Sequence, residues 1–340
     1  MPSPPPTSGP RIGLLGDVML GRAVGERIQG LGSPQVWAPE LLEYTEPLDL
    51  LVCNLECCLS DRGAPTELIG GKPFFFRGPP RAVQALLAVG AGVAGVANNH
   101  LLDFGEEAAR DTVALLASHG IASAGAGVGP PAAREPVIVA RAGARIGVLA
   151  VSDHPAQYAA VAGRLGIAYA PLRDGTADWL LAAMAALRER CDLAIAFLHW
   201  GPNMTTRPAR WQRRVARELA AAGADLIAGH SAHVFHGVGW LDGCPVLFDL
   251  GDALDDYALD PGVRNDLGLL GIWSPGNGAG GLELVGLKLR FCHTQLARGA
   301  DAEWIETRLR RACRRLGTDV QRVAEQRYVV EEVAGLKPGR

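Results

Sequence analysis

Lysine is nearly missing from this chain: Lys72, Lys288 and Lys337 are the only three among 33 basic residues. With so much alanine, the arginine excess reads as coding bias and not as function. Charge of one sign is also lacking, with a net charge of -3 and a pI near 6.3. Neither value calls for a nucleic-acid partner. Zinc-ribbon cysteine spacing is absent. Cys53, Cys57, Cys58, Cys191, Cys244, Cys292 and Cys313 are odd in number and read as reduced, buried thiols. No long apolar run occurs, since residues 12–20 are broken by Gly16-Asp17 and are too short to cross a bilayer. Met1 to Pro10 is rich in Pro and Ser and has no basic segment leading into an apolar one. The expectation is a cytoplasmic protein without a membrane anchor. Gly125 to Gly129 lacks the Lys-Ser/Thr of a phosphate loop, and no internal repeat is visible.

What is present is a 340-residue chain, 48% hydrophobic, enough for a large core. Residues 11–15 predict a buried strand ending at Gly16-Asp17, and 49–53 a second ending at Asn54-Leu55-Glu56. Residues 60–80 read as loop, followed by a helix over 80–89 that Gly90 stops. A strand over 92–97 precedes a helix over 106–119 with an acidic first turn. Residues 137–140 and 146–151 predict a hairpin, and 179–189 and 209–222 predict helices. Strands over 193–198 and 226–228 run into His199 and His230, and 246–248, 267–273 and 281–291 are late strands. Alternating strands and helices argue for an α/β fold with mixed sheets. The last forty residues predict two charged helices, 301–316 and 319–328. The division expected is a tail at 1–10, one domain over 11–295 and a helical extension over 296–340.

The informative pattern is polar residues at strand ends. Asp17, Asn54, Glu56, Asn99, His100, His199, His230 and His233 each follow a β-like apolar run. Singly, Asp17 could cap a helix, Asn98 or Asn99 could sit in a left-handed turn, and His199 could be a hydrogen-bonded core histidine. Together they need five separate excuses, whereas one metal site explains them all. Carboxylate, amide and imidazole groups suit Mn, Fe or Zn, bound as one or two divalent ions. A pair of such ions can activate water for an in-line displacement.

Gly16-Asp17-Val18-Met19-Leu20-Gly21-Arg22, Asn54-Leu55-Glu56, Ala97-Asn98-Asn99-His100 with Asp103, His199-Trp200-Gly201, Gly229-His230-Ser231-Ala232-His233 and Asp249-Leu250-Gly251-Asp252 occur in that order. This series resembles the CapA family of poly-γ-glutamate capsule biosynthesis proteins, which has a calcineurin-like metallophosphatase fold. The resemblance spans roughly residues 10–275. It implies a two-sheet β-sandwich flanked by helices, with metals at the strand ends. By the same resemblance Asp17 is the first metal ligand, Glu56 the bridging carboxylate, Asn99 the amide ligand, and His199, His230 and His233 the imidazole ligands. His100 resembles the proton donor to the leaving group. Met19 stands where the wider superfamily often has a histidine, which makes Asn54 the substitute ligand.

Asn98, Asp103, Arg207 and Asp252 complete the candidate site, in support of the ligands or against substrate. Asp252 is expected to orient a histidine, and Arg207 to clamp an anionic substrate. Arg210, Arg213 and Arg214 read as a solvated helix face, and His154 as a residue at one more strand end. Three functions stay open. The first is a metal-dependent hydrolase of a phosphoester or related anion, small or polymeric. The second is a capsule protein that acts on or binds a γ-linked amide polymer, and the third is a metal site kept as a relic. A homo-oligomer is left open.

Overall fold

The computed structural model describes residues 9–31, 35–276 and 281–333. The predicted tail therefore lies outside the described residues up to residue 8, as does the end of the predicted extension from residue 334.

Strand Ile12–Val18 is buried along all seven residues, because it has neighbours on both edges and cover on both faces. Leu50–Leu55 pairs with it in parallel and Leu267–Trp273 antiparallel, and Asp252–Leu254 runs parallel beside its end. A strand in that position reads as continuous apolar sequence. The ten-stranded sheet around it runs Thr318–Ala324, Arg327–Glu332, Leu282–Arg290, Leu267–Trp273, Ile12–Val18, Leu50–Leu55, Ala91–Gly95, Ala122–Ala124. Asp252–Leu254 and His293–Leu296 pair off this path. A six-stranded sheet runs Val238–Leu241, Cys244–Leu247, Leu226–His230, Leu193–His199, Ala144–Ser152, Val137–Arg141.

Alternation in the smaller sheet shows how the layers stack. Ile146, Val148, Ala150, Ile195, Phe197, Leu226 and Ala228 join the core of the large sheet. The intervening Leu149, Val151, Ala194, Ala196, Leu198 and Ile227 form a second cluster with helices Asp178–Arg190 and Arg210–Ala221. A period of two sends successive side chains to opposite faces, so one face packs on a sheet and the other on helices. The fold is the mixed α/β sandwich expected, and among the described residues no helix is long and apolar enough to cross a membrane.

One expectation fails. Residues 319–328 are not helical: Thr318–Ala324 and Arg327–Glu332 form a hairpin that extends the large sheet beyond Leu282–Arg290. Val320, Tyr328 and Val330 are buried while neighbours between them are not. That is strand alternation, masked in the sequence by the charged residues on its outer face. Among the described residues of the predicted helical extension, only Ala300–Arg314 is a helix. Helices Arg22–Leu31 and Pro39–Thr45 fill a stretch that periodicity had left unassigned.

The parallel strands all end on the same edge of the sandwich, and register aligns their polar termini. Asp17 lies opposite both Asn54 and Asp252, and His199 opposite both His230 and Ser152. Gly16 permits this approach, since a Cβ there would lie 1.9 Å from the Gly251 carbonyl oxygen. Backbone cannot yield as a flexible side chain can. Gly16→Ala is expected to lower stability by about 3 kcal/mol or more, read as a drop in the urea midpoint at unchanged slope.

Candidate metal centre

Two groups of buried donor atoms meet at this edge. Asp17, His199 and His230 form the first, and Asp17, Glu56, His233 and Asp252 the second, the donor atoms within each lying within 4.8 Å of one another. Asp17 serves both. Its Oδ1 is 3.0 Å from His230 Nδ1 and 3.9 Å from His199 Nδ1. Its Oδ2 is 3.4 Å from His233 Nδ1 and accepts the Ser231 N–H at 3.1 Å. The two imidazoles of the first group also converge, with Nδ1 atoms 2.9 Å apart. The resemblance gave the bridging role to Glu56. The carboxylate common to both groups is Asp17, because its strand ends between those carrying the other donors, whereas Glu56 belongs to the second group only.

Asn54 is placed behind Asp17. Its amide donates to Asp17 Oδ1 at 2.8 Å, and its carbonyl accepts from Asn98 at 3.0 Å. Through the first of these contacts it braces Asp17. Asn98 holds the next turn, donating to the Leu55 carbonyl and accepting the N–H groups of His100 and Leu101. Asp252 Oδ1 sits 2.8 Å from His233 Nδ1. Asp249, also buried, accepts the N–H groups of Ala232 and Gly251. It thereby fixes the loop in which Ser231 and His233 take positive φ, 108° and 58°.

The residues fit a divalent cation. Glu56 Oε1, Asn99 Oδ1, Asp252 Oδ2, His199 Nε2 and His230 Nε2 are all buried without a hydrogen-bond partner, which is rare unless something else satisfies them. Burial pushes the Glu56 carboxyl well up, and the charges of Asp17 and Asp252 push it further. Burial also raises Asp252, and burial with the Asp17 charge raises Asp249. Burial opposes ionisation of Asp17 too, but His230, His233 and the Asn54 amide outweigh it and hold its pKa down. Burial holds the His199 imidazole well below its ordinary range, and His230 adds to this. Burial pulls His233 the same way, yet the charges of Asp252 and Glu56 prevail and raise it. Carboxylates crowded in a dry site raise one another's pKa, and a cation among them removes that penalty.

His100 stands beside these groups, stacked on Phe76 with ring centroids 3.9 Å apart and 2.6 Å from Asp103 Oδ2 through Nδ1. Asp103 also receives Tyr158 Oη at 2.9 Å, the Phe76 N–H at 2.7 Å and the Lys72 ammonium at 2.7 Å. Burial lowers the His100 pKa to about 4 despite the opposing pull of Asp103. The ring is therefore neutral at pH 7, with Nδ1–H donated to Asp103. A proton-donor role then requires a nearby negative charge, such as that of an anionic substrate, to raise it.

Tyr257, Lys72 and Tyr158 escaped the sequence reading, whereas His154 was read there at a strand end. Tyr257 donates to Glu56 Oε2 at 3.3 Å and meets the His233 ring edge-on at 5.2 Å. The His154 ring, at the end of Ala144–Ser152, lies 5.0 Å from that of His199. Lys72 and Tyr158 had no visible signal, because neither follows an apolar strand. Arg207 lines a cavity beside helix Arg210–Ala221.

Fold and site together define a two-sheet α/β sandwich with a carboxylate-sharing candidate metal centre at its strand ends. The family model described as "Bacterial capsule synthesis protein PGA_cap" matches residues 11–257, and the chain belongs to that family. A "Probable polyglutamine synthesis accessory protein" of Mycobacterium tuberculosis is 32% identical, over 90% of this chain and 91% of that protein. "PGA biosynthesis protein CapA" of Bacillus subtilis is 25% identical, over 71% of this chain and 62% of that one. "Capsule biosynthesis protein CapA" of Bacillus anthracis is 26% identical, over 65% and 54%.

Proposed function

We propose that the chain is a metal-dependent hydrolase acting on an anionic substrate. The observation that carries this reading is Asp17's membership in two buried donor groups. Asp17, His199 and His230 would hold one divalent ion, and Asp17, Glu56, His233 and Asp252 the other, with the Asn99 oxygen available beside them. Manganese, iron or zinc would supply Lewis acidity toward an oxyanion and a more acidic water. The protein's own part is to fix Asp17 through Asn54, fix His233 through Asp252, and hold the His100 ring against Phe76 with Asp103 setting its tautomer. An anionic substrate would raise the His100 pKa as it arrives and so arm Nε2 to protonate a departing oxygen or nitrogen.

The names of the relatives favour a second reading of the substrate, a γ-linked glutamyl polymer and not a phosphoester. Both readings use the same centre. A cytoplasmic location is part of the proposal, supported by seven cysteines that are all buried and unpaired.

Elemental analysis of the purified protein, followed by assay with an aryl phosphodiester and with γ-glutamyl oligomers, tests the proposal. Bound transition metal and manganese- or iron-stimulated turnover of one substrate are expected. Folded protein with neither metal nor turnover would reduce the centre to a relic.

A further inference from the structure

A cavity of about 690 Å³ lies between helices Arg210–Ala221 and Ala300–Arg314, and none of its lining residues is a donor of the metal centre. Six arginines line it, Arg207, Arg210 and Arg213 on one side and Arg308, Arg311 and Arg315 on the other, and no Asp or Glu does. In a chain of net charge -3 this is local sorting and not overall composition.

The pairing of these side chains is uneven. Arg310 and Arg314, on the same helix but outside the cavity, are paired with Glu306 and Asp319. Arg207, Arg210, Arg311 and Arg315 form no ion pair or hydrogen bond among the described residues. Arg308 is buried and braced, donating to the carbonyls of Phe235 and Val263 at 3.0 Å each. Burial and then the charge of Arg311 lower its pKa to about 10. The first turn of the twelve-residue helix Arg210–Ala221 opens on the same space, adding its positive end. The guanidinium groups of Arg207, Arg210, Arg311 and Arg315, which form no ion pair among the described residues, repel one another, and a multivalent anion relieves that repulsion. The volume suits a small molecule.

We propose that this cavity binds an oxyanion bearing two or more negative charges, from phosphate or carboxylate groups, through Arg207, Arg210, Arg311 and Arg315. The site is separate from the metal centre and does not depend on its being catalytic. It does abut the loop that carries His230 and His233, since Arg308 holds the Phe235 carbonyl of that loop.

Calorimetric titration of the metal-loaded full chain with tripolyphosphate, and separately with tricarballylate, tests the proposal. Arg311 and Arg315 are exposed, so the double variant Arg311→Ala/Arg315→Ala should fold normally. Saturable binding that weakens tenfold or more in that variant is expected, with Asp17→Asn retaining it. Binding of one probe alone identifies phosphate or carboxylate as the preferred group, and binding of both means that charge suffices. Absence of saturable binding by either probe overturns the site. So does binding that survives in the arginine variant.

Discussion

Asp17→Asn is expected to empty both halves of the metal centre at once and to lower kcat/KM on the order of 10³-fold or more. Asp17 contributes one oxygen to the His199–His230 side and the other to the His233 side. An asparagine keeps the volume but removes the only negative charge of the first group, leaving two neutral imidazoles that hold a divalent cation far more weakly without the carboxylate. The effect should be graded across the site. His199→Ala should cost one ion and leave the other, and Asp252→Asn should weaken only the second. Metal content measured on each purified variant separates these outcomes. If Asp17→Asn retains two ions per chain, the shared-carboxylate centre is wrong even should activity fall.

This grading could be foreseen only in part. Asp17, Glu56, His199 and His230 were legible because each closes an apolar run, and parallel strands deliver their ends to one edge. The sandwich was legible for the same reason, from the alternation of strands and helices. Which carboxylate is shared was not, since it depends on register between strands 37 and 235 residues apart, Asp17 against Asn54 and Asp252. Tyr257 reaches Glu56 across a sequence separation of 201, and no local pattern announces such a contact. The C-terminal hairpin was misread for a more ordinary reason. Its outer face is charged, so 319–328 read as a charged helix, whereas pairing with Leu282–Arg290 buries Val320, Tyr328 and Val330 on the inner face. The arginines of the second cavity were hidden by composition, because an abundant residue carries little signal until the fold separates paired copies from unpaired ones.

Replacing His100 with glutamine is expected to lower kcat by roughly 10²- to 10⁴-fold on a substrate with a poor leaving group, while metal content stays unchanged. Glutamine keeps most of the contact with Phe76 and can still donate toward Asp103, but it cannot supply a proton. Asp103→Asn would be a poorer test. It leaves the half-buried Lys72 ammonium without its carboxylate, and stripping a partly buried charge of its partner lowers stability as well. The decisive comparison is between leaving groups on the His100 variant. A p-nitrophenolate departs without a proton and should lose little rate, whereas an alkoxide or an amine needs one and should lose most of it. Equal losses on both would mean that His100 orients substrate and does not donate. Its low pKa, set by burial against Phe76, would then describe the ring's working state as well as its resting one, a neutral hydrogen-bonding group held in place by Asp103.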